Sequence, residues 1–250
     1  MINKKRILQS FQRAADSYES QAMVQHRVAE NLLRLLDEHC CGEINRVLEI
    51  GCCTGLLTRR LVKQYPDIME IVLNDLVESF AARAGDLPGV AQVSFLSGDI
   101  ETLPLSGQFD LIISSSTFHW VHDLDALLAK LTAHLKPGAT LAFSLYGPDN
   151  MMEIRSISDI GLPYYSLARV KHLLSRYCTV DHCSEGRETF FFADPDTMLE
   201  HLRQTGVNAL QTTPWTPRKL KRFKNDYLHH FSERQGVRLS YHPLYLLAHR

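Results

Sequence analysis

Residues 3–40 are polar, with an apolar stripe of Ile7, Phe11, Ala14 and Ala15, followed by Val24, Val28, Leu32, Leu35 and Leu36. Steps of three and four put each set on one face of a helix, and the polar break at Asp16–Ser17 predicts two helices. From about residue 45 the pattern changes to short apolar runs, RVLEI, EIVLN, QVSFL, FDLIISS and TLAFSLY, interspersed with the helical segments TGLLTRRLVKQY, VESFAARA and DLDALLAKLTAHL. Runs that are apolar throughout are buried on both faces, so this alternation predicts βαβ units and a doubly wound α/β fold around a parallel sheet. Lys136-Pro137-Gly138 is expected to stop one helix before a strand at 140–146. The alternation lapses from Gly147 to about 177, with a turn at Pro163-Tyr164-Tyr165. Strands are then expected at 177–182, 187–192 and 239–248, with helices at 195–204 and 217–233. Segments 147–176 and 193–236 read as insertions that roof the carboxyl edge of the sheet, where open α/β sheets bind ligands.

The chain has 250 residues, 45% of them hydrophobic and 22% charged. Those fractions are ordinary for a folded chain and exclude a disordered or fibrous one. The length fits one domain over 1–250, divided into a helical lid (1–40), a core (45–147) and the two cap insertions. Lys and Arg number 27 against 28 Asp and Glu, a net charge of −1. That balance disfavours generic binding to nucleic acid or anionic membranes. The charged N-terminus has no signal-peptide apolar stretch and no window is apolar enough to span a bilayer, so a cytoplasmic location is expected. The cysteines Cys40, Cys41, Cys52, Cys53, Cys178 and Cys183 form no CxxC pair. Free thiols and no metal site are the expectation.

The most informative stretch runs Val47-Leu48-Glu49-Ile50-Gly51-Cys52-Cys53-Thr54-Gly55, a strand entering a glycine turn before a helix. Glycine lets the backbone turn tightly and approach a ligand, and the helix start offers unpaired N–H groups. Asp75 ends the second strand twenty residues after Gly55, where a carboxylate can accept both hydroxyls of a ribose. Gly98-Asp99-Ile100-Glu101 and the strand Phe109–Ser115 follow. Over residues 45–147 this order resembles the class I S-adenosylmethionine-dependent methyltransferases. The resemblance implies a seven-stranded, mostly parallel Rossmann-like sheet with S-adenosylmethionine as cofactor. It implies that Gly51 to Gly55 pass the methionine moiety, that Asp75 takes the ribose, that Asp99 and Ile100 hold the adenine, and that Ser114 or Ser115 meets the amino-acid end. Tyr18, Gln25, Glu49, Gly51, Cys52, Thr54, Gly55 and Leu76 complete the expected cofactor set. Cys53 departs from the family, which commonly has glycine there, and a side chain resists positive φ.

The residues after the fourth strand, Ser114-Ser115-Ser116-Thr117-Phe118-His119-Trp120, lack the N-P-P-Y or D-P-P-Y run of many amide and base methylating enzymes. A carboxylate acceptor, ionised at neutral pH, needs no base, only hydrogen-bond donors and at most one Arg. The opening Phe11-x-x-Ala14-Ala15-x-x-Tyr18-x-x-Gln21-Ala22-x-x-Gln25 resembles that of the malonyl-acyl-carrier-protein O-methyltransferases of biotin synthesis. So do Leu199-x-x-Leu202-x-x-x-Gly206-Val207-Asn208-Ala209 and the ending Leu239-Ser240-Tyr241-His242-Pro243-Leu244-Tyr245. That resemblance spans nearly the whole chain and implies methylation of the free carboxylate of a malonyl thioester, carried on acyl carrier protein or coenzyme A. It places Tyr18 and Gln25 on the closing helix, and Tyr18, His119, Trp120 and Arg155 are the catalytic candidates, Arg155 as donor to the malonyl carboxylate. Tyr164 and Tyr165 could line the same roof as Arg155; the ordinary alternatives are packing for Tyr18, Trp120 and the Tyr164–Tyr165 pair, a satisfied structural role for His119, and an exposed Arg155. Arg218, Lys219, Lys221, Arg222 and Lys224 form a candidate docking patch for an acidic carrier, with Arg169, Lys171 and Arg176 as its rival. Competing functions are another carboxyl or carbon methyltransferase, acting on an aconitate-like or quinone-precursor acceptor, and a non-catalytic S-adenosylmethionine-binding module.

Overall fold

The structure, a computed structural model, describes residues 2–40, 42–84, 87–158, 160–207 and 215–250. Cys41 among the thiols, and Asn208 and Ala209 of the second motif, lie outside the described residues. The chain opens with helices α1 (Lys4–Ala14), α2 (Tyr18–Gln21) and α3 (Met23–His39). It continues through β1 (Arg46–Ile50), α4 (Leu56–Gln64), β2 (Glu70–Asp75), α5 (Ala81–Ala84), β3 (Gln92–Ser97), β4 (Phe109–Ser114), α6 (Leu124–Ala133) and β5 (Leu135–Tyr146). Then follow α7 (Met152–Ile157), α8 (Leu167–Leu174), β6 (Thr179–Glu185), β7 (Glu188–Phe192), α9 (Pro195–Gln204), α10 (Pro217–Phe231), β8 (Ser232–Glu233), β9 (Gly236–Tyr241) and β10 (Pro243–His249).

Seven strands form one sheet in the order β3-β2-β1-β4-β5-β10-β6. The first five are parallel, and β10 runs antiparallel to both of its neighbours. Side chains alternate across β1 and β4. Val47, Leu111 and Ile113 face a core shared with α3 and α4, while Leu48, Ile50 and Ile112 face the core under α6 and α8. The strand order reverses between β1 and β4, which opens a crevice at their carboxyl ends. A second sheet, β7-β9-β8, stands beside the first with α7, α9 and α10 packed around it. Short polar caps start the later helices: Asp123 accepts from Ala126, and Asp194 and Thr216 cap α9 and α10 ahead of Pro195 and Pro217. Proline at the first helical position loses no bond.

The sequence expectations need three corrections. The N-terminal stretch folds as three helices because Ala22, outside helical dihedrals, separates α2 from α3. The expected strand 239–248 is two strands. Tyr241 pairs with Glu188 in the small sheet and Leu244 with Leu145 in the large one, and His242 makes the step between them. Lys136-Pro137-Gly138 does not stop the helix, which ends at Ala133. It lies inside β5, where the register against β4 shifts between Phe109 and Leu111.

Candidate active site

Three turns at the carboxyl ends of β1, β2 and β3 build a cleft that encloses, together with its open mouth, about 660 Å³ of empty space. After β1 the backbone takes positive φ at Gly51 (72°), Cys53 (49°) and Gly55 (86°). A Cβ at Gly51 would lie 2.1 Å from Thr117 Oγ1, so only glycine fits beneath that loop. Cys53 holds its left-handed conformation because its N–H donates to Asp75 Oδ2 at 2.9 Å. The cysteine therefore does adopt the positive φ that its side chain resists, at a cost of about 1 kcal/mol. Asp75 Oδ1 accepts from the Val77 N–H at 2.9 Å. Its carboxyl borders the cavity, and burial raises its pKa to about 6.

Asp99, after β3, also borders the cavity, and its Oδ1 accepts from the Glu101 N–H and from Lys4 Nζ. Lys4 bridges further to Glu101 at 2.7 Å, so α1 is tied across the cleft as a lid. Ser17 Oγ donates to the Gln204 carbonyl, and Gly206 lies against the Phe11 ring, which joins the lid to the end of α9.

A second chamber, with about 390 Å³ of empty space including its open side, adjoins this cleft; the two share Phe11, Tyr18, Ser116 and Trp120. Phe11 meets the Trp120 ring edge-on at 6.2 Å, forming part of the wall between them. The chamber is lined further by Gln25, His119, Tyr146, Asn150, Tyr164 and Tyr241, and among the described residues no Lys, Arg, Asp or Glu lines it. His119 packs against Trp120, Tyr146 and Tyr164. Burial lowers its pKa to about 3, and its Nδ1 has no hydrogen-bond partner. Burial likewise pushes the Tyr164 phenol up to about 12, so these groups stay neutral at ordinary pH. On the far side of His119, Tyr146 and Tyr164 lies a third space of about 390 Å³, margined by exposed His122 and Tyr165.

A family model described as a methyltransferase domain matches residues 48–143. The malonyl-[acyl-carrier protein] O-methyltransferase of Calditerrivibrio nitroreducens is 35% identical over 239 residues, covering 96% of this chain and 94% of that protein. The enzyme of the same name from Haemophilus influenzae is 36% identical, with 99% and 95% covered. This chain belongs to the malonyl-[acyl-carrier protein] O-methyltransferase family. Its fold is also that of the N-methyltransferase of Bradyrhizobium japonicum solved with S-adenosyl-L-homocysteine: TM-score 0.56, 17% identity, 98% of each chain covered.

For this member of the family, the structure gathers most, but not all, of the residues singled out in the sequence. Tyr18, Gly51, Asp75, Leu76, Asp99, Ile100, Ser115 and Trp120 border the first cavity, while Gln25 and His119 border the second chamber. Glu49, Cys52, Thr54, Gly55 and Ser114 do not line either space, and all five are buried behind the loop. Ser114 Oγ is spent on the Ile50 carbonyl at 2.9 Å, so of the two serines only Ser115 faces the cavity. Arg155 is misplaced as a chamber donor. It is exposed, stacks over the Tyr164 ring at 5.5 Å and donates to the Pro148 carbonyl, with Tyr164 between it and the chamber. Lys4, Thr117, Ser116, Tyr146, Asn150 and Tyr241 were not singled out as site residues. Ser116 and Thr117 share the turn after β4, while the others come from separate elements that meet only in the fold.

The basic run lies on α10, whose inner face is held by Phe223 and Tyr227. Among the described residues Arg218, Lys219 and Lys221 are exposed without an ion pair, whereas Arg222 pairs with Asp226 and Lys224 with Asp196. On α8, Arg169 and Lys171 are exposed, and Arg176 is held by Asp125. Among the described residues no helix is long and apolar enough to cross a membrane, and five cysteines are free.

Proposed function

We propose that this chain methylates the free carboxylate of a malonyl thioester, with S-adenosylmethionine as donor and acyl carrier protein as the carrier. The observation that carries the reading is the second chamber, which holds neutral hydrogen-bonding side chains and shares Phe11, Tyr18, Ser116 and Trp120 with the cavity beneath the lid.

The residues present fit the cofactor. Gly51 gives close backbone approach, Asp75 presents a carboxylate for two ribose hydroxyls, Asp99 and Ile100 flank the place for adenine, and buried Gln25 Oε1 still lacks a donor. When bound, S-adenosylmethionine supplies an electrophilic methyl group on a sulfonium. Tyr18, Trp120 and Phe11 border both spaces, where they align the acceptor and exclude water. A malonyl carboxylate is ionised at neutral pH, so the chain has no proton to remove. His119, kept neutral by burial, offers the acceptor a hydrogen bond without adding charge. Cationic patches on α10 or α8 would meet the acidic carrier outside the chamber.

The test is competition among acceptors under labelled S-adenosylmethionine, with malonyl-acyl carrier protein, malonyl-coenzyme A, acetyl-acyl carrier protein, aconitate and a quinone precursor side by side. Label on the malonyl forms alone supports the proposal. Faster labelling of aconitate or the quinone precursor overturns it, and folded protein that binds no cofactor would mark a non-catalytic module.

A further inference from the structure

Two hydroxyls meet where the cofactor cavity passes into the second chamber. Ser116 borders both spaces, and its Oγ donates to the Tyr146 hydroxyl at 3.3 Å. Ser116 is one of three non-glycine residues at positive φ (55°) among the described residues. Such strain persists only where the surroundings over-determine it, and here β5 does so: the Ser116 N–H is pinned by both the carbonyl and the Oγ of Ser144, at 3.1 Å each. The strained turn therefore aims one hydroxyl at Tyr146, whose oxygen accepts. A phenol that accepts has its own proton free to donate. Tyr146 is 4% exposed, and its ring is held edge-on against His119. Burial keeps the phenol protonated well beyond neutral pH.

Tyr164 is the rival donor, since Asn150 Nδ2 donates to its oxygen at 3.0 Å. Tyr146 and Tyr164 both border the second and third spaces and neither lines the cofactor cavity, but Tyr146 is bonded to Ser116, which lines that cavity, whereas Tyr164 is bonded to Asn150, which does not. With no cation in the chamber wall among the described residues and Arg155 outside it, an anionic acceptor must be fixed by neutral donors.

We propose that Tyr146 donates the hydrogen bond that holds the acceptor carboxylate at the mouth of the cofactor cavity, and that Ser116 is a positioning residue acting through it. The inference rests on the proposed function. The phenol keeps its proton throughout; it orients an oxygen of the acceptor and takes no part in bond exchange.

The test compares wild type, Tyr146→Phe, Tyr164→Phe and Ser116→Gly, the last removing the hydroxyl while relieving the positive φ. Binding of malonyl-coenzyme A and of acetyl-coenzyme A is measured by calorimetry with S-adenosylhomocysteine present, alongside binding of S-adenosylhomocysteine alone. Tyr146→Phe is expected to raise the malonyl Kd about tenfold or more, the worth of a hydrogen bond to a charged oxygen. It leaves acetyl-coenzyme A and S-adenosylhomocysteine binding unchanged, which a merely structural role would not do. Ser116→Gly gives a smaller loss that vanishes in the Tyr146→Phe background. Unchanged malonyl binding in Tyr146→Phe, or a loss confined to Tyr164→Phe, overturns the assignment while the proposed function stands. Wild type that neither binds nor methylates a malonyl thioester overturns both.

Discussion

Asp75 shapes the Cys53 turn through one carboxylate oxygen and the start of the Val77 turn through the other, and both oxygens retain lone pairs that the proposed ribose contact would use. Removing the carboxylate costs a charged hydrogen bond, so Asp75→Ala is expected to weaken cofactor binding by about 2 kcal/mol, measured by calorimetry. Because burial raises its pKa to about 6, cofactor affinity of the wild type should fall as pH drops below that value. Glu49 behaves differently. It is buried beside Thr58 with Oε2 unpartnered, and burial lifts its pKa from 4.5 to about 8. The folded state thus holds a proton that the unfolded chain gives up above 4.5. The stability this confers is complete below that pH and is lost as pH rises toward 8. Glu49→Gln mimics the protonated form and should raise the melting temperature above pH 8 while changing it little near pH 4.5. An equal shift at both values would show that Glu49 is ionised in the fold.

The elements around the cofactor cavity were legible because each is short and local. The run from Val47 to Gly55 shows a strand and its glycine turn within nine residues, with α4 starting at Leu56, and Asp75 sits where the next strand must end. The second chamber was legible only in part: Gln25, His119 and Tyr164 stood out, whereas Ser116, Tyr146 and Tyr241 join them only through the sheet order. Arg155 shows the same limit in reverse: an arginine in the right insertion, turned outward over Tyr164. The N-terminal stripe announced helices but not their attachment, which depends on Lys4 reaching Asp99 and Glu101. A half-buried bridge of this kind is worth up to about 1 kcal/mol. Lys4→Ala should therefore speed proteolytic cleavage within α1 in cofactor-free protein. Cleavage unchanged by the substitution would show that the Phe11 and Ser17 contacts hold the lid alone.

Across the whole molecule, the parallel strands place the turns around the first cavity at one edge, while the antiparallel β10 and the β7-β9-β8 sheet bring Tyr241 and the α7 and α9 ends to the second chamber. The fold class was readable from apolar runs. The split of 239–248 between two sheets was not, since both halves are equally strand-like and only the step at His242 separates them. With the chain near neutral, attraction for an acidic carrier must come from a local patch. Reversing Lys219 and Lys221 to Glu is expected to raise KM for malonyl-acyl carrier protein and leave turnover of malonyl-coenzyme A unaltered. If KM stays the same, Arg169 and Lys171 on α8 become the docking face.

Carboxyl methylation itself is tested most directly by mass spectrometry of malonyl-acyl carrier protein after incubation with the protein and S-adenosylmethionine, followed by mild base. A gain of one methyl on the malonyl group, released as methanol by base, is the predicted result. A methyl that resists base, or one borne by the carrier's own side chains with the malonyl group untouched, would contradict it.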